Sequence, residues 1–125
     1  MSKLIFILIG ILSINFLFAQ SFINEKEFDK KISEDIVVIE FWAEWNDENK
    51  FQELSKLNEC YIYRVDVNNN TSLQKAYKIS SLPTLIIFNN GTEHQRFQAN
   101  IMFQLEATKK DIQQIIDKLL LQKFR

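Results

Sequence analysis

Seven residues near the start of the chain narrow the fold most. Ile36-Val37-Val38-Ile39-Glu40-Phe41-Trp42 is apolar except for one glutamate and opens with four β-branched side chains. No polar residue alternates through it, so it does not read as a strand with one wet face. It reads as a strand buried on both sides, the usual state at the centre of a parallel sheet. Such a strand needs cover above and below. Helix signals follow at Asn46-Asp47-Glu48, with Phe51, Leu54 and Leu57 three residues apart. A second strand then spans Cys60 to Val67. Strand, helix and strand in that order imply a right-handed parallel crossover.

The flanking segments complete an α/β pattern. Asn24 followed by Glu27 has the spacing of a capping box, and Phe28 and Ile32 give that first helix a core face. The polar loop Asn68-Asn69-Asn70-Thr71 leads into a short helix, Ser72 to Lys78. Leu85 to Phe88 is a third strand, and Asn89-Asn90-Gly91 marks a hairpin that turns the segment near Glu93 to Phe97 back antiparallel. Thr108 to Asp111 opens a last helix whose buried stripe is Ile112, Ile115, Ile116, Leu119 and Leu120. The expected architecture is one small mixed sheet with helices on both faces. A length of 125 residues fits a single domain.

The first residues belong to a different physical class. Lys3 precedes the apolar run Leu4 to Phe18, and Ala19 closes it. One positive charge, about 15 mostly apolar residues and a small terminal residue match a secretory signal peptide. The run is short of the roughly 20 residues a membrane span needs. The reading is therefore a signal at 1–19, a domain at 20–125 and an exported protein, periplasmic or secreted. Retention of the segment as an N-terminal anchor is the alternative, and contact with a membrane is expected only in that case. The formal net charge is −1, so no electrostatic footprint for nucleic acid exists.

Cys60 is the only cysteine, so no intramolecular dithiol is available. It reads either as a small buried apolar side chain or as a thiol for intermolecular chemistry. His94 stands alone beside a turn, without the partners a metal site needs. No metal and no cofactor are expected.

In this order the segments resemble the thioredoxin family over roughly Phe22 to Leu120. Val38-Ile39-Glu40-Phe41-Trp42-Ala43-Glu44-Trp45 is similar to the family's strand leading into its active site. Val65-Asp66-Val67 is similar to the next strand, Ser81-Leu82-Pro83-Thr84-Leu85 to its cis-proline loop, and Phe88-Asn89-Asn90-Gly91 to its hairpin. The resemblance implies a thioredoxin fold. It departs at the centre. Where the family carries Cys-Gly-Pro-Cys-Lys, this chain has Asn46-Asp47-Glu48-Asn49-Lys50. Trp45 and Lys50 match without a gap, and asparagine stands at both cysteine positions, Asn46 and Asn49. The family's dithiol activity does not carry over, and an enzyme is not the expected reading.

Asn46 is expected to cap the following helix, with Asp47 and Glu48 as solvated first-turn carboxylates that suit the helix dipole. A catalytic carboxylate at Asp47 or Glu48 is the other reading. Glu40 occupies the place of the family's buried acid. With no thiol to serve, it is expected to pair with Arg64 on the neighbouring strand, unless Arg64 turns to solvent. The segment Gln98 to Ala107 is several residues longer than the resemblance allows. Ile101, Met102, Phe103 and Leu105 make it too apolar for an idle loop, so it either covers a sheet edge or forms a contact surface.

The resemblance implies a surface that holds extended polypeptide beside the cis-proline. Trp45, Val67, Leu82, Pro83 and Thr84 are the candidate residues, with backbone pairing at Thr84 in the manner of strand addition. The expected function is a redox-inactive binding module whose partner is a protein or an extended peptide. The alternative is an envelope assembly subunit that uses the Ile101–Leu105 segment. Intermolecular thiol chemistry through Cys60 ranks third.

Overall fold

The computed structural model describes residues 22–124. The apolar N-terminal segment and the signal boundary at Ala19 lie outside the described residues. Helix α1 (Glu25–Ile32) is followed by strand β1 (Ile36–Trp42), two 3₁₀ turns (Glu44–Asn49 and Leu54–Lys56) and strand β2 (Tyr61–Asp66). Helix α2 (Thr71–Ala76), strands β3 (Thr84–Asn89) and β4 (Thr92–Gln98) and helix α3 (Lys109–Lys123) complete the chain. The sheet order is β2-β1-β3-β4. β1 runs parallel to β2 and antiparallel to β3, which pairs antiparallel with β4. This is the thioredoxin fold, a mixed sheet with helices on both faces.

The alternation of side chains along β1 divides the core. Val37, Ile39 and Phe41 point to one face with Phe28, Ile32 and Phe88. Ile36 and Val38 point to the other with Phe51, Leu54, Leu57, Ile112 and Ile116. Both capping boxes form. Asn24 and Glu27 exchange side-chain-to-backbone bonds at the start of α1, and Thr108 and Asp111 do so at α3. Gly91 takes a φ of +83° at the hairpin tip, a conformation glycine adopts without a Cβ penalty.

The segment after Trp45 departs from expectation. Instead of one α-helix there are two 3₁₀ turns. The cause lies under the segment. Glu40 is fully buried, and its Oε2 accepts the Phe51 N–H at 2.9 Å. Arg64 Nη2 donates to the Phe51 carbonyl at 2.8 Å. A Phe51 N–H taken by a side chain cannot join an i→i−4 ladder, and the Phe51 carbonyl accepts the Leu54 N–H at 3.3 Å in an i→i−3 bond instead. The spacing of three between Phe51, Leu54 and Leu57 suits this arrangement, because side chains three apart eclipse in a 3₁₀ helix. All three are buried.

Candidate functional site

The site lies where β1 ends and the first 3₁₀ turn begins. Asn46 is not the cap of this turn. The cap position is Ala43, which has no side chain to bond, and the Asn46 N–H donates to the Ala43 carbonyl at 3.1 Å. Asn46 itself is buried, with φ −119° and ψ 26°, inside a kink. Its amide serves long-range partners. Nδ2 donates to the Leu82 carbonyl at 2.9 Å and to the Phe103 carbonyl at 3.1 Å. Carbonyls only accept, so the nitrogen must face them and Oδ1 must face away. Oδ1 accepts from Asn49 Nδ2 at 2.7 Å. The two asparagines thus tie three segments together: the 3₁₀ turn, the Leu82–Pro83 loop and the segment at Phe103. The Leu82–Pro83 peptide is cis.

Asp47 and Glu48 are both exposed. Asp47 Oδ1 accepts from the Trp42 indole Nε1 at 2.9 Å and lies 3.4 Å from Lys50 Nζ. The indole hydrogen bond, and then Lys50, hold its carboxyl below the usual range. That shift favours a standing carboxylate and works against a general acid. Glu40 and Arg64 are direct register partners across β1 and β2, with Arg64 Nε 2.9 Å from Glu40 Oε1. Burial pushes the Glu40 carboxyl up, against the opposing pull of Arg64 and the Phe51 N–H. Both carboxylate oxygens are spent on structure.

The expected peptide surface is largely closed. Val67, Leu82, Pro83 and Thr84 are all buried, and only Trp45 is exposed, at 60%. Thr84 cannot add an extended strand, because it already pairs with Phe41 on one side and Gln98 on the other. Its hydroxyl donates to the Ser81 carbonyl at 2.6 Å. The Leu82 carbonyl is taken by Asn46, and the Pro83 carbonyl accepts the Ala99 N–H at 3.1 Å. The segment after β4 helps to close this region. Phe103 sets its ring edge-on to Trp45, with centroids 5.3 Å apart. Of the apolar residues in this segment, Leu105 joins the α3-side core, whereas Ile101, Met102 and Phe103 stay exposed.

Phe103 is the site residue that sequence reasoning placed without a role at Trp45. Its apolar character in a loop was the signal, but the contact depends on a chain reversal that no local pattern encodes. Cys60 sits just before β2, and the site sits beyond the far end of β1. Five strand steps from Tyr61 to Asp66 make roughly 16 Å between the two ends. Burial, reinforced by Glu59, pushes the Cys60 thiol up to about 11.

The thioredoxin family model, described as "Thioredoxin", matches residues 19–118. The chain belongs to the thioredoxin family. Thioredoxin of Staphylococcus aureus is 30% identical over 105 residues, covering 78% of this chain and 95% of that protein. Thioredoxin of Mycoplasma genitalium is 35% identical over 66 residues, covering 48% of this chain and 65% of that protein, so this match spans less than two thirds of the relative. Among solved structures, a mutant thioredoxin from Halobacterium salinarum superposes with a TM-score of 0.65 at 21% identity, covering 78% of this chain and 88% of that one. A Plasmodium falciparum thioredoxin gives 0.61 at 24%, covering 78% and 97%. At these identities the superpositions speak for the thioredoxin fold.

Proposed function

We propose that this thioredoxin-family protein is redox-inert and exported, and that it binds extended polypeptide through the surface around Trp45. One observation carries the reading. Asn46 and Asn49 stand at the positions the resemblance assigns to the family's cysteines, and their amides are bonded to each other and to backbone carbonyls. The positions serve architecture, with no nucleophile between them. Cys60 is a poor substitute, because a thiol titrating near 11 holds little thiolate at neutral pH. Export rests on the signal-like sequence of residues 1–19.

The polypeptide surface is displaced outward from the expected groove. Val67, Leu82, Pro83 and Thr84 are buried, and Trp45 and Phe103 supply the exposed aromatic area. A second reading, an envelope assembly subunit using the Ile101–Leu105 segment, draws support from Ile101, which is 93% exposed. Both readings use the same side of the molecule.

The test is binding of a reduced, carboxymethylated polypeptide, which is unfolded and carries no free thiol. Saturable binding to the purified protein is expected. Truncating a central tryptophan anchor costs about 2 kcal/mol or more, so Trp45→Ala weakens binding about thirtyfold. No binding by the parent overturns the reading. Equal binding by the variant moves the surface elsewhere.

A further inference from the structure

Ile101, Met102 and Phe103 are 93%, 66% and 49% exposed, so the loop gains little from its own apolar side chains. Yet it is built as a fixed object. Asn100 Oδ1 accepts the N–H groups of Met102 and Gln104 at 2.9 and 3.1 Å. The Asn100 N–H donates to the Gln104 carbonyl, and the Phe103 N–H to the Asn100 carbonyl, both at 2.9 Å. Phe103 takes a φ of +60°, a left-handed conformation that is unfavourable for a bulky residue. Asn46 fixes its carbonyl and Trp45 meets its ring. An apolar loop held out to solvent at a backbone cost is pre-organised for contact.

The two segments that carry this strip are acidic, with Lys50 just beyond them held by Asp47. Residues 44–49 and 99–106 carry Glu44, Asp47, Glu48 and Glu106, and no lysine or arginine. Asp47 is engaged by Trp42 and Lys50, and Glu106 accepts from Asn100. Among the described residues, Glu44 and Glu48 are exposed and have no ion-pair partner. They flank Trp45 in the same 3₁₀ turn.

We propose that the strip formed by Trp45, Phe103, Met102 and Ile101 is a docking surface for a basic polypeptide segment, with an aliphatic or aromatic anchor between lysines or arginines. The proposal rests on the binding reading above and narrows it to the partner's chemistry. The anchor covers the exposed apolar side chains, and the flanking cations meet Glu44 and Glu48. An arginine also stacks on the Trp45 face. Acidic segments are repelled, and so are anionic lipid headgroups.

Two labelled, tryptophan-free peptides with identical apolar residues, one alternating with lysine and one with glutamate, test this by fluorescence anisotropy. The purified protein is titrated at low and at physiological ionic strength. The lysine peptide is expected to bind at least about tenfold tighter at low salt and to weaken as salt rises. Glu44→Gln with Glu48→Gln lowers its affinity about fivefold and flattens the salt dependence. Ile101→Ser with Met102→Ser weakens it at every salt concentration. Equal, salt-independent binding of both peptides overturns this proposal and leaves the binding reading standing. Tighter binding of the glutamate peptide overturns the proposal as well. Absence of binding by both, together with failure of the carboxymethylated polypeptide to bind, overturns both readings.

Discussion

The ion pair beneath the kinked segment allows a quantitative test. Glu40 is buried, with one oxygen on Arg64 Nε and the other on the Phe51 N–H, each at 2.9 Å. Arg64, 17% exposed at its side chain, also holds the Phe51 carbonyl. Glu40→Leu leaves a guanidinium without its carboxylate, and Arg64→Met leaves a buried carboxylate without its cation. Each single change breaks a buried pair and is expected to cost about 3–5 kcal/mol. Replacing both partners of an isolated buried pair can be neutral. Here the Phe51 N–H loses its acceptor, while the Phe51 carbonyl keeps the Leu54 N–H at 3.3 Å. One unpaired buried N–H costs about 1–3 kcal/mol, so E40L/R64M should remain about 1–3 kcal/mol less stable than the parent. Additive singles would give about 6–10 kcal/mol, which leaves a coupling energy of about 5–7 kcal/mol. Urea unfolding of the four proteins, followed by far-UV circular dichroism, measures each value. A double variant as stable as the parent refutes the anchoring of Phe51. A double variant that equals the sum of the singles refutes the pair itself.

Two further outcomes follow from the same geometry. Asn46→Ala leaves the Leu82 and Phe103 carbonyls without their donor. It should cost about 2–4 kcal/mol in urea unfolding and speed amide exchange at Met102 and Gln104; unchanged exchange there would remove the link between Asn46 and the loop. Cys60 should alkylate slowly near neutral pH and accelerate as pH rises toward about 11, where its thiolate forms; an alkylation midpoint near the ordinary thiol value of about 8.5 would contradict its burial.

Much of this fold was legible because its signals are local. The Asn24–Glu27 and Thr108–Asp111 boxes need only three-residue spacing, and both form. The β-branched run at Ile36 declared a strand buried on two faces, and six consecutive residues from Ile36 are buried. Asn46 shows where local reasoning ends. By propensity it is a helix cap, but carbonyls 36 and 57 residues further along the chain claim its amide. The same competition broke the expected helix after it, since Glu40 takes the Phe51 N–H that a helical ladder would need. The closure of the Leu82–Thr84 region was equally hidden. It depends on the longer segment after β4 folding back to Trp45, which is not written in the spacing of any motif.

The claim that this family member has exchanged dithiol chemistry for architecture is tested most directly by insulin reduction. The purified protein is mixed with insulin and a chemical reductant, and precipitation of the released insulin chain is followed by turbidity. With asparagine at positions 46 and 49 and a thiol at Cys60 that titrates near 11, the rate should equal that of the reductant alone. A rate that rises in proportion to added protein, and vanishes on Cys60→Ser, would contradict the account.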